Sequence, residues 1–164
     1  MVVDTPFPAL WLSPDAQRWA LIIEASHSRA FGSPLVARHP VASDAKRSHC
    51  QELFACPSPV LAHDGGSDPA LIYANAAALR LWRRRWSQMV GMPSRLTAPE
   101  QERQERAQAL GSAQKMNAFQ GYRGIRIDSE GRRFVINNAR IWTLWDEKGE
   151  CCGQAASFSN WWWI

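Results

Sequence analysis

Two turns of the same kind, Asp128-Ser-Glu-Gly131 and Asp146-Glu-Lys-Gly149, separate three strand-like runs near the end of the chain. Aspartate accepts hydrogen bonds from nearby backbone amides, and a glycine at the end of such a turn takes a positive φ without a Cβ clash. The sequence therefore predicts a three-stranded antiparallel meander over residues 121–127, 132–145 and 153–159. One face of this meander has to be covered by the earlier part of the chain.

A polar gap at Asn138 and Arg140 interrupts the middle strand of this meander. The apolar residues on either side of the gap keep one alternating phase, and they are Phe134, Ile136, Trp142 and Leu144. Unpaired buried amides cost about 1 to 3 kcal/mol, so polar residues in a buried phase need an explanation. The sequence leaves two open: a bulge or exposed stretch, or polar groups turned into a pocket.

An amphipathic helix is predicted near the N-terminus. Ser13-Pro14-Asp15 has the composition of a helix start, and Phe31-Gly32 of a helix end. The apolar stripe between them consists of Ala16, Trp19, Ala20, Ile23 and Ala30. His27 shares this stripe. It could bind a ligand or accept a proton, but we favour a partly buried histidine bonded to a backbone group.

The middle of the chain predicts further elements in sequence order. Residues 46–55 have one apolar helical face, and residues 59–63 and 70–74 read as a pair of short strands. Asn75 then caps a helix whose apolar stripe is Ala78, Leu79, Trp82 and Trp86. Thr97 and Glu100 have the spacing of a capping box before a charged helix. On that helix, Glu102 and Arg106 are spaced for an i,i+4 ion pair.

The length of 164 residues fits a single compact domain, and we expect a helical extension over residues 1–50 followed by the main domain over residues 51–164. The net charge of +4 is modest, so we do not expect nucleic-acid binding. Arg80, Arg83, Arg84 and Arg85 could grip phosphate, but a solvated helix face is the simpler reading. Neither a signal segment nor a bilayer-length apolar run is evident, which favours a cytoplasmic protein without membrane association.

The sequence shows no catalytic signature. The four histidines lack metal-binding spacing, and neither a nucleophile elbow nor a phosphate loop is present. The four cysteines, at positions 50, 56, 151 and 152, form no Cys-x-x-Cys pair and are expected to be reduced. We therefore predict no catalytic residue and no metal site, and the sequence leaves the cofactor unassigned. The nine tryptophans predict large rigid anchors in the core or at an interface.

The order of predicted elements resembles the PAS fold, and particular segments resemble the PAS-like MEKHLA domain of the stand-alone bacterial type. These segments are His63, Asp68-Pro69, Tyr73-Ala-Asn-Ala-Ala-Ala-Leu79, Leu81-Trp82, Met92-Pro-Ser-Arg-Leu-Thr-Ala98, Tyr122-Arg-Gly-Ile-Arg126, Gly131-Arg-Arg-Phe134, Trp142, Asp146, Gly149 and Gly153-Gln-Ala-Ala-Ser-Phe158. The family also occurs at the C-terminus of plant homeodomain leucine-zipper regulators, but this chain has no homeodomain or zipper, so their DNA binding does not carry over.

This resemblance implies an α+β fold: a five-stranded antiparallel sheet with helices on one face, here preceded by the N-terminal helix. It also implies sensing, ligand binding or dimerisation rather than catalysis. We expect a module that binds a small ligand or a protein partner and forms a homodimer through the N-terminal helix and exposed tryptophans. The alternative is a small enzyme on a similar curved-sheet cone, acting on a small organic substrate.

Arg95 is the first candidate for ligand binding, because a guanidinium in this loop could fork onto a carboxylate or phosphate. An ion pair with Glu100 or Glu102 that fixes the loop is the favoured alternative. Polar sheet residues could face the same cavity if the strand register turns them inward. The full set of candidate ligand-binding residues is Trp82, Met92, Arg95, Tyr122, Arg126, Asn138, Trp142 and Gln154.

Overall fold

The computed structural model describes residues 9–36 and 45–164. The α-helices in these ranges are α1 (Pro14–Phe31), α2 (Ala45–Ala55), α3 (Ala76–Trp82), α4 (Trp86–Met89) and α5 (Arg103–Met116). The strands are β1 (Val60–Asp64), β2 (Leu71–Ala74), β3 (Ala118–Ile127), β4 (Arg133–Trp145), β5 (Cys151–Ser157) and β6 (Asn160–Trp163). Short 3-10 helices at Leu10–Leu12, Ser94–Thr97 and Glu100–Glu102 complete the regular structure.

Five of the strands form an antiparallel sheet in the order β2-β1-β5-β4-β3, which confirms the five-stranded antiparallel sheet that the family resemblance implies. Its last three strands are the expected meander. In the first turn of this meander, the Asp128 carboxylate accepts hydrogen bonds from the amides of Glu130 and Arg132, at 2.9 and 2.8 Å. Gly131 ends the turn with a φ of 83°. Asp146 plays the same part in the second turn, so the repeated Asp-x-x-Gly pattern sets both hairpins.

The polar gap in β4 is a bulge. Asn138 has a φ of 52° and an exposed side chain, and Gly121 in β3 has a φ of 90°. The β3–β4 register slips at both places. Gln120 pairs with Arg140 and Tyr122 with Ala139, which leaves Gly121 as an extra residue in β3; the next pair, Gly124 with Ile136, leaves an extra residue in β4. Each extra residue reverses the alternation of its strand.

The bulge corrects the expectation that the apolar residues of β4 share one phase. Phe134 and Ile136 lie on one face of the sheet, whereas Trp142 and Leu144 lie on the other. We call these the α5 face and the α1 face, after the helices that cover them. One strand thus contributes to two hydrophobic cores.

Helices cover both faces of the sheet. Helices α3 and α5 pack on the α5 face, and α1 and α2 pack on the α1 face. The indole of Trp142 donates a hydrogen bond to the Ile23 carbonyl at 3.2 Å, and Ser26 Oγ accepts one from the Trp145 amide at 2.9 Å. The apolar stripe of α1 is therefore buried against the chain's own sheet. The expected boundary between residues 50 and 51 falls inside α2.

The predicted ends of α1 and the start of α3 are confirmed. Ser13 Oγ accepts a hydrogen bond from the Ala16 amide, and Gly32 ends α1 with a φ of 70°. Asn75 Oδ1 accepts hydrogen bonds from Ala78 and Val60, at 3.1 and 2.9 Å. This second contact fixes α3 to β1.

Two helix predictions were wrong. Helix α3 ends at Trp82 and is capped by Arg83, which has a φ of 56°, so Trp86 lies on α4 and outside the α3 stripe. The predicted capping box does not form either, because Thr97 Oγ1 donates to the Ser94 carbonyl and α5 begins only at Arg103. The residues that the sequence assigned to the first turn of the charged helix form short 3-10 helices instead.

The C-terminal tryptophans pack on their own sheet. Strand β6 pairs with the first half of β4, so that Trp163 lies opposite Phe134 and Trp161 opposite Ile136. The guanidinium of Arg132 lies 3.8 Å from the centroid of the Trp163 ring. Among the described residues, no helix is both long and apolar enough to cross a membrane.

Candidate functional site

A small cavity lies between the α5 face of the sheet and the helices above it. The sheet contributes His63 from β1, Tyr122 and Arg126 from β3 and Gln154 from β5. The helices contribute Trp82 from α3 and Arg106 and Leu110 from α5. This inner cavity has a volume of about 30 Å³. It is enough for one or two water-sized groups.

A larger outer pocket of about 390 Å³ adjoins the inner cavity. It is formed by the loop of residues 65–69, by Arg95 and by one face of α5. The two spaces share four lining residues: His63, Arg106, Leu110 and Gln154. A volume of this size fits the range of small-molecule sites.

The inward face of β3 contains three alternate residues of the strand: Tyr122, Gly124 and Arg126. The Arg126 guanidinium donates hydrogen bonds to the Tyr122 hydroxyl at 3.1 Å and to the Ile125 carbonyl at 2.9 Å. Gly124 lies beneath this contact, since a Cβ there would lie 2.5 Å from the Tyr122 hydroxyl and 2.9 Å from Arg126 Nη1. The missing side chain of Gly124 therefore makes room for the tyrosine–arginine pair.

Arg106 is a buried cation without a partner. Only 8% of its surface is exposed, and within the described ranges its side chain makes neither a hydrogen bond nor an ion pair. The predicted pair with Glu102 does not form. Burial, with the nearby positive charge of Arg126, lowers the pKa of the Arg106 guanidinium to about 10. At neutral pH this side chain is still charged.

His63 has one ring nitrogen without a hydrogen-bond partner among the described residues. Its Nδ1 lies 2.8 Å from the Asp64 carbonyl oxygen and so carries the proton of the neutral ring, whereas the buried Nε2 accepts no hydrogen bond from residues 9–36 and 45–164. Burial lowers the pKa of His63, and the positive charge of Arg106 lowers it further. Beside His63, Gln154 Nε2 donates to the Leu110 carbonyl at 3.0 Å and ties β5 to α5.

Arg95 lies at the mouth of the outer pocket. Its guanidinium pairs with Asp68 at 3.2 Å, across the loop between β1 and β2, and both side chains are about half exposed. The partner is therefore neither of the two glutamates considered from the sequence. The pair joins the loop before β2 to the 3-10 helix at Ser94–Thr97.

The structure brings five of the eight predicted site residues to the two connected spaces. Trp82, Tyr122, Arg126 and Gln154 line the inner cavity, and Arg95 and Gln154 line the outer pocket. The other three lie elsewhere. Met92 packs beside the core of the α5 face, Asn138 is exposed at the bulge, and Trp142 is buried on the α1 face.

Two residues of the site were missed by the sequence analysis. His63 was noted only for the family resemblance, and Arg106 only as half of an ion pair. The helical spacing of α5 could have indicated them, because one face of this helix mixes charged and apolar side chains. The residues on that face are Arg103, Arg106, Leu110 and Gln114. Such a face suits a pocket wall better than bulk solvent.

The chemistry available in the inner cavity is that of hydrogen-bond donors and positive charge. Among the described residues, no aspartate or glutamate lines it. The same part of the chain contains no group of three or more histidine, cysteine, aspartate or glutamate side chains able to hold a metal ion. The arrangement can hold and orient a polar group, and it contains no paired acid and base.

The family model described as "MEKHLA domain" matches residues 17–163, nearly the whole chain. This range includes most of α1 as well as the sheet, which agrees with the packing of α1 on it. The comparison with curated proteins gave no significant match.

Three solved structures show the fold. The PAS domain of a protein from Colwellia psychrerythraea is 13% identical, with a TM-score of 0.63, over 71% of this chain and 97% of that one. An RNA-binding light-oxygen-voltage receptor is 16% identical, with a TM-score of 0.61, over 77% of this chain and 37% of that one. A light-oxygen-voltage domain from work with a flavin analogue is 14% identical, with a TM-score of 0.56, over 71% and 84%. The expected PAS fold is confirmed.

Proposed function

The chain belongs to the MEKHLA domain family, and from this premise we propose that it is a non-catalytic sensory module that binds a small ligand. The ligand site is the outer pocket together with the inner cavity, between α5 and the sheet. Binding there would connect α5 to β1, β3 and β5, since all four elements line the two spaces.

One observation supports this proposal most directly: a pocket of ligand size opens onto a cavity with unsatisfied polar groups. The outer pocket of about 390 Å³ meets the inner cavity at Arg106 and His63. Both side chains are more than nine-tenths buried; in the described part of the chain, His63 Nε2 has no hydrogen-bond partner and the Arg106 guanidinium forms no ion pair. Buried polar groups are normally paired, so a bound molecule is the natural partner.

An enzyme on the same scaffold is the second possibility that the sequence raised. It would need an acid and a base near the bound substrate. In the inner cavity, the described residues supply one histidine, Tyr122 and two arginines, but no carboxylate. This set favours holding a ligand over transforming it.

Native mass spectrometry of the gently purified full chain, with an absorbance spectrum, tests for a bound molecule. We expect a mass above that of the bare chain. Gly111 lines the outer pocket, and a Cβ added there would meet open space. We therefore expect Gly111→Phe to reduce the bound fraction without harming the fold. Ser112→Phe, on an exposed position of the same helix, is the matched control. Equal occupancy in both variants would place any ligand elsewhere.

We also propose a homodimer, with its contact at the C-terminal strand rather than at α1. The apolar stripe of α1 is occupied by the sheet, whereas Trp162 and Trp163 are each 36% exposed and Ile164 is 64% exposed. Large exposed apolar side chains at one edge favour a protein contact. Light scattering at high concentration tests the dimer, which Trp162→Arg should weaken. A monomer throughout the concentration range argues against it.

A further inference from the structure

We propose that the ligand is a small organic carboxylate whose charged group enters the inner cavity between Arg106 and Arg126. This inference rests on the proposed function, because it names the chemical class of the molecule that the same site would hold. It follows from charge, from size and from the placement of donors.

The inner cavity is lined by two buried cations. Arg106 and Arg126 are 8% and 6% exposed and both line the inner cavity, and no carboxylate of the described chain lines it with them. At the entrance, Asp64 already accepts hydrogen bonds from the amides of Gly66 and Ala70, each at 3.1 Å. Buried cations are normally paired, because removing them from water is costly. The cavity therefore favours an anion.

Size is the second step. A volume of about 30 Å³ is too small for a whole metabolite, and it suits a group of about two oxygen atoms. A planar carboxylate fits this space better than a tetrahedral phosphate. The rest of the molecule would then occupy the outer pocket of about 390 Å³, where Ala107, Leu110 and Pro69 supply apolar surface.

The donors are placed for this group. Arg106 has no hydrogen bond to the described residues, so its guanidinium is available to form a charge-assisted bond with an oxygen. The Tyr122 hydroxyl accepts from Arg126, which leaves its own proton to donate. Gly124 has no side chain to displace either group. Two guanidinium groups and a hydroxyl thus surround one small volume.

Thermal melting and calorimetry of the full chain test the inference with butyrate, hexanoate and benzoate, their matched amides, and sulfate. We expect the carboxylates to raise Tm and the amides and sulfate to have little effect. Arg106→Gln should weaken carboxylate binding by about 10-fold or more, since a buried charge-assisted bond is lost. Arg80→Gln removes one exposed positive charge from α3, outside both spaces, and is expected to bind as the parent chain does.

A second variant separates a ligand role from a structural one. Arg106→Met removes the unpaired buried charge, so without probe it should melt at or above the temperature of the parent chain. With probe it should show no shift. A variant that unfolds would instead assign Arg106 to the fold and overturn the inference.

The outcomes also separate this inference from the proposed function. Equal stabilisation by amides and carboxylates, or full carboxylate binding by Arg106→Gln, overturns the carboxylate and leaves a small-ligand module in place. A co-purified neutral molecule in the pocket does the same. No response to any probe, together with the bare mass of the chain, overturns both.

Discussion

Arg140 of β4 donates a hydrogen bond to His27 of α1, with 3.2 Å between Nη1 and Nε2. On the other side of the ring, Nδ1 of His27 donates to the Ser33 carbonyl at 2.9 Å. The two contacts fix a neutral ring, because Nε2 has to keep its lone pair to accept from arginine. The preferred interpretation of His27, a histidine bonded to a backbone group, describes this arrangement.

We predict that acid destabilises the protein through its buried histidines. Burial lowers the pKa of both His27 and His63 below the ordinary value of 6.5. The unfolded chain then binds more protons than the folded chain below that value, so stability present above pH 6.5 is lost as pH falls. Urea unfolding at pH 7.5, 6.5 and 5.5 should show this loss, and His27→Gln should reduce its size. Stability that is constant or rises on acidification would contradict the assignment.

We predict opposite effects for alanine at two glycines. Gly124→Ala should cost about 1 to 3 kcal/mol, because its Cβ would press on Tyr122 and Arg126 and the pair has to move. Gly111→Ala meets open space on α5 and should stabilise by about 0.5 to 1 kcal/mol through helix propensity. Chemical denaturation of both variants gives the comparison. Equal changes in folding stability would mean that Tyr122 and Arg126 leave room for a side chain at position 124.

The bulge in β4 gives a third prediction. Asn138→Gly should leave stability within about 0.5 kcal/mol of the parent, because glycine adopts a φ of 52° readily. Asn138→Val should cost about 1 to 3 kcal/mol, since a β-branched residue is strained in that region. The side chain is exposed, so lost packing does not confuse the result. Thermal melts of the two variants decide the matter, and a valine variant as stable as the glycine variant would speak against a fixed bulge.

Arg95 yields a fourth prediction. Its pair with Asp68 is about half exposed, so Arg95→Gln should cost less than about 1 kcal/mol of folding stability. Because its guanidinium lies at the mouth of the outer pocket, carboxylate affinity should fall much less than in Arg106→Gln. Calorimetry with benzoate measures this difference. A loss of affinity as large as that of Arg106→Gln would mean that Arg95 contacts the ligand directly, as the sequence first suggested.

Much of the fold was predictable because its signals are local. Asp128 and Asp146 each form their turn with amides only two to four residues away, and Ser13 caps α1 through a neighbour three residues on. The meander and the start of α1 were predicted on this basis, whereas the complete five-stranded sheet was implied by the family resemblance. Side-chain contacts between segments that lie far apart in the sequence gave no comparable signal.

The phase of β4 was not predictable from alternation alone. Asn138 and Gly121 each shift the alternation of side chains in their strand by one residue. In the sequence, an asparagine that adopts a positive φ cannot be told from any other polar residue. This reversal moved Trp142 from the expected site to the opposite face, where it bonds to Ile23. Arg106 was misjudged for a related reason, since an arginine on a charged helix normally faces water.

The sheet is a single layer of backbone with a cavity on one side and α1 on the other. His63 and Gln154, which line the cavity, are paired across β1 and β5, and the adjacent pair, Ala62 and Ala155, packs on the α1 face. Only one peptide unit separates the two pairs in each strand, so the wall of the cavity and the surface on which α1 packs are joined directly through the backbone. Because α1 packs on the face opposite the cavity, the fluorescence of Trp19 on that helix offers a direct readout of any change that a bound molecule makes in the sheet.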